Sequence, residues 1–182
     1  MTLSTSTPQE STFNDGAYVG WLLAAVKDPA SRASLRRADI SSAEHMAYPL
    51  LASRWAAQPG LRAPMLLHAA SAARYDRVRQ SDRQGIGHMA RSLVQRKVIQ
   101  ESSVETRLLA IQLKPLDEAH KILGGLLAAA HSSGGFTLDW FALWRTYRYW
   151  NARPDAYPSR KQILSDFYAH SLTRPSTSEG PK

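Results

Sequence analysis

The sequence predicts an all-α protein of two small helical bundles joined by a basic hinge loop. Three observations carry that prediction. Apolar residues recur at spacings of three and four along most of the chain, and no segment alternates apolar and polar residues between turn signals. One arginine-dense stretch divides this pattern into two parts, residues 13–98 and 99–172, each with enough helices for a small bundle. With 182 residues, 43% hydrophobic and 21% charged, the chain has the composition of a soluble globular protein able to bury a core. No internal repeat recurs at a fixed period.

Residues 1–12 and 173–182 are rich in Ser, Thr and Pro and are expected to be disordered. The first of these has neither a basic n-region nor an apolar h-region, so no signal peptide is expected. No apolar run approaches the roughly 18 residues that a membrane-spanning helix needs. From Phe13 the chain turns helical. Asn14 or Asp15 can cap a helix that carries Tyr18, Trp21, Leu22, Ala25 and Val26 on one face. A short helix follows Pro29 and ends in Leu35-Arg36-Arg37. Ser41 and Glu44 have capping-box spacing, in which Ser accepts from the backbone and Glu reaches back. Pro49 breaks or kinks the next segment, Leu50–Ala57 resumes the helix, and Pro59-Gly60 make a turn. A long helix from about Leu61, with Pro64 tolerated in its first turn, then runs to the basic stretch.

Beyond that stretch, Ile86, Met89, Ala90 and Leu93 mark a short helix over Ile86–Val94. Ser102 and Glu105 form a second capping-box pattern ahead of Val104, Leu108, Ile111 and Leu113, and Pro115 ends that helix. Leu116, Ala119, Ile122, Leu123, Leu126, Leu127 and Ala130 give the clearest helical period, which Gly134-Gly135 terminate. Asp139–Trp150 is the next helix, its buried stripe Trp140, Leu143, Trp144 and Tyr147, with Phe141, Arg145 and Arg148 facing elsewhere. Pro158 opens the last helix, whose packing face is Ile163, Leu164, Phe167 and Tyr168.

The stretch between the halves, Arg74 to Arg96, holds Arg74, Arg77, Arg79, Arg83, Arg91 and Arg96 against only Asp76 and Asp82. Residues 76–84 have too little apolar surface to anchor in a core and read as an exposed, mobile basic loop. The formal charge is +8; residues 1–98 hold 13 Lys and Arg and 7 Asp and Glu, residues 99–182 hold 10 and 8. The excess therefore sits in the N-terminal half and the hinge. Guanidinium groups bridge phosphate oxygens in a fixed fork, so this distribution favours nucleic acid over an anionic membrane surface. The competing reading is a solvated loop with no partner. The chain contains no cysteine, which excludes disulfides, thiolate nucleophiles and Cys-ligated zinc, and agrees with a cytoplasmic location.

Catalytic and cofactor patterns are missing. Gly85-Ile86-Gly87-His88-Met89-Ala90 matches a dinucleotide fingerprint, but a charged loop precedes it where a strand is required, so its glycines read as entry to a helix. Amides at that helix start also suit an anion. His45, His68, His88, His120, His131 and His170 are scattered, without metal-ligand spacing, and Asp117-Glu118 near His120 read as a solvated first turn. No G-x-S-x-G elbow occurs. No enzyme activity, metal or cofactor is expected. The aromatic residues of 140–150 could stack bases, yet most lie at core spacing and are expected to pack. Arg145 and Arg148 on the other face are the better phosphate ligands. Arg79 and Arg83 in the loop join them; Arg36 and Arg37 suit either phosphate or their helix dipole. Arg107 is a further basic candidate with a salt bridge as its alternative role.

Several blocks together resemble a known family. LRRAD (35–39) with AYPLL (47–51), GIGHMARSL (85–93), ESSVETRLLAI (101–111), LDWFALWRTYRYW (138–150) and RKQILSDFYAH (160–170) follow one another as in the CasB-type small subunit of the type I-E CRISPR Cascade complex. The resemblance implies a non-catalytic, cytoplasmic subunit of two helical bundles that serves antiviral defence. It would pair head-to-tail with a second copy, bind guide RNA, both target DNA strands and other Cascade subunits, and stabilise the R-loop through phosphates. Family-like basic positions are Arg37, Arg160 and Lys161, with Arg62 and Arg153 near others. In such systems base pairing reads sequence and protein holds backbone. The alternative from the residues alone is a helical adaptor for an acidic protein partner.

Overall fold

The computed structural model describes residues 13–151 and 159–169. They form α1 (Asp15–Ala25), α2 (Pro29–Leu35), α3 (Tyr48–Trp55), α4 (Arg62–Arg74), α5 (Ile86–Gln95), α6 (Glu101–Ala110), α7 (Leu116–Ser133), α8 (Trp140–Arg148) and α9 (Ser159–Ala169). The terminal segments expected to be disordered lie outside the described residues. The fold is all-α as expected, with one addition: β1 (Arg79–Gln80) and β2 (Thr137–Leu138) pair in parallel.

Helix starts are set by local side chains where Asn14, Asp28 and Asp139 accept from the amides of Ala17, Ser31 and Ala142 at 2.8, 2.8 and 3.0 Å. Neither expected capping box forms. A 3₁₀ turn occupies Glu44–Ala47, and the Glu44 carboxylate accepts from the Tyr48 hydroxyl and Arg62 instead. Helix α6 begins at Glu101, ahead of Ser102, and Glu105 accepts from the Tyr168 hydroxyl of α9. Pro49 and Pro64 fall in the first turns of α3 and α4, where no intrahelical N–H bond is lost. Helix α7 ends where Gly134 and Gly135 adopt φ of 69° and 70°, a left-handed reversal that leads into β2.

The core is aromatic. Trp140, Trp144, Trp150, Tyr18, Tyr147 and Phe167 are its largest enclosed side chains, and the whole predicted stripe of α8 is buried. Helix α8 lies on α1 and α4, with the Tyr18 and Trp144 rings 4.5 Å apart, while α9 lies on α5. Packing thus crosses the division expected at residue 98, and buried residues from both parts join one cluster. Tyr168, expected on the packing face of α9, is 39% exposed. Gly87 permits the α5–α9 approach: a Cβ there would meet the Ile163 carbonyl oxygen at 2.2 Å. The glycine of the fingerprint therefore serves helix packing.

The basic hinge differs from expectation. Asp76, Arg77, Arg79, Asp82, Arg83 and Gln84 are exposed, but the segment is tethered. Val78 is buried and its carbonyl accepts from Trp140 Nε1 at 3.2 Å. The amides of Arg79 and Ser81 donate to Phe136 and Leu138 at 3.1 and 3.0 Å, and Asp139 donates to Gln84 at 2.7 Å. Backbone pairing with residues 136–139, which composition does not report, fixes a segment too polar to anchor itself.

His68 is buried between α1 and α8, where Nε2 donates to the Trp140 carbonyl at 3.1 Å. Burial outweighs that hydrogen bond and pushes its pKa down to about 3. An unfolded-state histidine titrates near ~6.5, so the unfolded chain takes up the proton first as pH falls. The contribution is complete above that value and is lost progressively below it. We expect stability to fall by roughly 2 kcal/mol between about pH 7 and pH 5, and His68→Gln to flatten that slope. Thermal melts across this range are the check; an unchanged slope in the variant would assign the acid sensitivity to other groups.

Candidate nucleic-acid interface

The fold divides the arginines of the 74–96 stretch. Arg74, Arg91 and Arg96 are built into the architecture. Arg74 forks onto Asp39, with Nη2–Oδ1 at 2.6 Å and Nη1–Oδ2 at 2.9 Å. Arg91 pairs with Glu101 across the α5–α6 turn and lies 5.7 Å over the Phe167 ring. Arg96 sits 4.0 Å over Phe136 and donates to the Gly135 carbonyl at 3.1 Å. Arg77, Arg79 and Arg83 stay exposed, with no side-chain ion pair among the described residues.

Two contacts bring α2 to the same edge. Arg74 Nη2 donates to the Arg36 carbonyl at 2.7 Å, capping the end of α2, and Arg32 pairs with Asp76 at 2.7 Å. Arg36 and Arg37, both exposed, are therefore held where α4 ends and the tethered segment begins. Arg36 and Arg37 at the end of α2, and Arg77, Arg79 and Arg83 on the segment after α4, are exposed arginines on backbone tied together by these bonds, and are termed the basic rim. Arg77 is the member not singled out by number among the sequence-based phosphate candidates, although it belongs to the same arginine run. Past Arg83 the rim opens into a cleft of about 350 Å³ along α5, lined by His88, Arg91 and Gln95.

The clamp under this rim is polar and largely enclosed. Asp39 also accepts from His120 Nε2 at 3.1 Å, and His120 Nδ1 lies 3.0 Å from the Tyr147 hydroxyl. Burial raises the Asp39 pKa, but the hydrogen bonds of His120 and Arg74 outweigh it and hold the carboxyl far below the usual range. His120, scattered in sequence, thus links α7 to the α2 turn.

Other candidates lie elsewhere or are committed. Arg148, expected on the other face of its helix as a phosphate ligand, is 14% exposed and paired with Asp15 at 2.5 Å, because residues 13–15 cover that face of α8. Arg160 donates through Nε and Nη2 to the Trp150 carbonyl at 3.1 and 2.7 Å and through Nη1 to Gln112 at 3.0 Å, which closes α9 onto the end of α8. Arg62 is bound to Glu44 and Tyr48. Arg107, Arg145 and Lys161 are exposed on α6, α8 and α9, with no contact tying them to the rim. Arg153 lies outside the described residues. Among the described residues no cluster of three His, Asp or Glu is placed to hold a metal, and no helix is long and apolar enough to cross a membrane.

The family model of CRISPR-associated protein Cse2 matches residues 31–168. The chain belongs to the Cse2 family. That match agrees with the resemblance carried by the sequence blocks. The Cse2 fold recurs in a Cse2-family CRISPR-associated protein from Thermus thermophilus, 19% identical with a TM-score of 0.69 over 87% of this chain and 99% of that one. A chain of a CRISPR RNA-guided surveillance complex is 24% identical, with a TM-score of 0.70 over 88% of this chain and 95% of that one. CasB of M. ruber is 18% identical, with a TM-score of 0.59 over 83% and 92%. No curated protein sequence matches the chain.

Proposed function

We propose that this Cse2-family chain is a non-catalytic subunit of a type I-E RNA-guided surveillance complex. It holds guide RNA and target DNA by their phosphates, stabilises the opened R-loop and so serves antiviral defence. Other Cascade subunits and a second copy placed head-to-tail are its protein partners. One observation carries the reading: Arg36, Arg37, Arg77, Arg79 and Arg83 stand exposed and free of ion pairs among the described residues, on backbone held by hydrogen bonds. Fixed cations without base-reading partners suit a role in which pairing with the guide supplies sequence specificity. Family membership and the fold shared with a chain of a surveillance complex support it.

The test is the salt dependence of single-strand and R-loop binding by Arg37→Ala, Arg79→Ala and Arg83→Ala, each against Lys114→Ala. Every variant loses one charge, so bulk attraction falls equally. Each rim variant should flatten the log–log salt slope by roughly 0.7–0.9, with the same loss for matched and scrambled sequences in the single-strand assay. An equal change in Lys114→Ala, or none in any variant, would remove the phosphate-clamp reading.

A further inference from the structure

We infer that the cleft beside Arg79 receives an unpaired nucleobase from the strand held on the rim, an inference that rests on the phosphate-binding reading. The cleft, of about 430 Å³, lies between the end of α1, α2 and β1 and falls within the size range of small-ligand pockets. Its floor is apolar: Leu23 and Val26 from α1, Val78 ahead of β1, and Trp140 from α8. Its mouth is cationic, with Lys27, Arg32 and Arg79 against the single acid Asp76, which is already paired with Arg32. An apolar floor under a positive mouth fits a ligand with a flat apolar body and an anionic backbone. A nucleotide of a single strand has that form. Continuity decides between a strand and a free nucleotide, because Arg79 belongs to both cleft and rim, and the Arg32–Asp76 pair that walls the cleft also ties α2 to the rim.

The neutral polar groups lining the cleft are hydrogen-bonded within the protein. Trp140 Nε1 donates to the Val78 carbonyl, the Trp140 amide donates to Gln80 Oε1, and Gln80 Nε2 donates to the Ser81 carbonyl. No base-edge reader remains among these neutral groups, and Lys27 and Arg79 at the mouth are left for phosphates, so the cleft takes a base for its apolar face with little preference for which base it is. Extracting one base from the stack would hold the strand in register while Arg79 and Lys27 meet its phosphates.

The test compares binding of the full chain to an oligothymidylate and to the same strand with abasic sugars. The wild type should favour the base-bearing strand by about tenfold. Leu23→Gln, at a half-buried site without change of charge, should bring that ratio close to one and leave the abasic strand's affinity unaltered. Ala72→Leu, which fills the cleft from α4, should do the same. Equal affinity of the wild type for both strands, or a ratio that survives in both variants, would overturn the base pocket while leaving the phosphate rim intact. Failure to bind either strand at low salt would overturn the rim, and the pocket with it. Equal loss on both strands in Leu23→Gln would mark the cleft as structural and also count against a base site.

Discussion

Gly87→Ala should lower the stability of the protein by about 3 kcal/mol or more, a fall in melting temperature of roughly 6–12 °C for a chain of this size. A Cβ at this position would meet the Ile163 carbonyl oxygen at 2.2 Å, Asp166 Cβ at 2.8 Å and the Phe167 amide nitrogen at 3.0 Å. Two of these atoms are backbone of α9, so no flexible side chain can swing aside and the helices must separate. Separation uncovers Phe167, fully buried against α5, and loosens the helix that Arg160 closes onto Trp150. Limited proteolysis should then cut within α9 before the rest of the chain. Gly125→Ala is the paired measurement. Gly125 is exposed inside α7, and its added Cβ meets nothing within 4 Å. Removing backbone freedom there should stabilise by about 0.5–1 kcal/mol. Opposite signs for the two substitutions support the close α5–α9 approach; a wild-type melt for Gly87→Ala would refute it.

The helix faces were legible because they follow a local period. Trp140, Leu143, Trp144 and Tyr147 are buried together as their spacing implies, and Gly134-Gly135 end α7 for a reason internal to those residues. The Ser-x-x-Glu patterns misled because a capping box competes with tertiary partners: Arg62 takes Glu44 and the Tyr168 hydroxyl takes Glu105. The same limit governs the site. Composition located the arginine run, but whether an arginine is free depends on carbonyls and carboxylates remote in sequence. Arg148 and Arg160 look in sequence like Arg145 and Lys161, yet Asp15, Trp150 and Gln112 occupy them. The tether of residues 79–84 was equally hidden, since its partners at 136–139 arrive only when α7 has folded back.

Asp39→Ala should weaken binding to single-stranded DNA even though it raises the formal charge from +8 to +9. Bulk electrostatics predicts the reverse, since one carboxylate fewer beside the rim strengthens attraction to a polyanion. The difference lies in what Asp39 holds. Its carboxylate takes both Nη atoms of Arg74 and Nε2 of His120, and Arg74 in turn caps the Arg36 carbonyl at the end of α2. Without the carboxylate, Arg74 keeps one tertiary partner, and the turn carrying Arg36 and Arg37 is free to fray before it meets phosphate. The cost to folding should be about 3 kcal/mol, at the low end for breaking an enclosed ion pair because Arg74 is 30% exposed. The pH dependence has a definite sign. The Asp39 pKa is lowered by folding, so its contribution is complete above the ordinary carboxylate value and is lost as pH falls below about 4. Asp39→Asn, which keeps the shape and one acceptor, should lie between wild type and alanine in both stability and affinity. Melting curves establish that each variant is folded at the assay temperature, and DNA titrations at two salt concentrations then decide. Tighter binding by folded Asp39→Ala would show that charge alone governs the rim and that the order of the Arg36–Arg37 turn contributes nothing; weaker binding with a flatter salt slope is what a clamp requires.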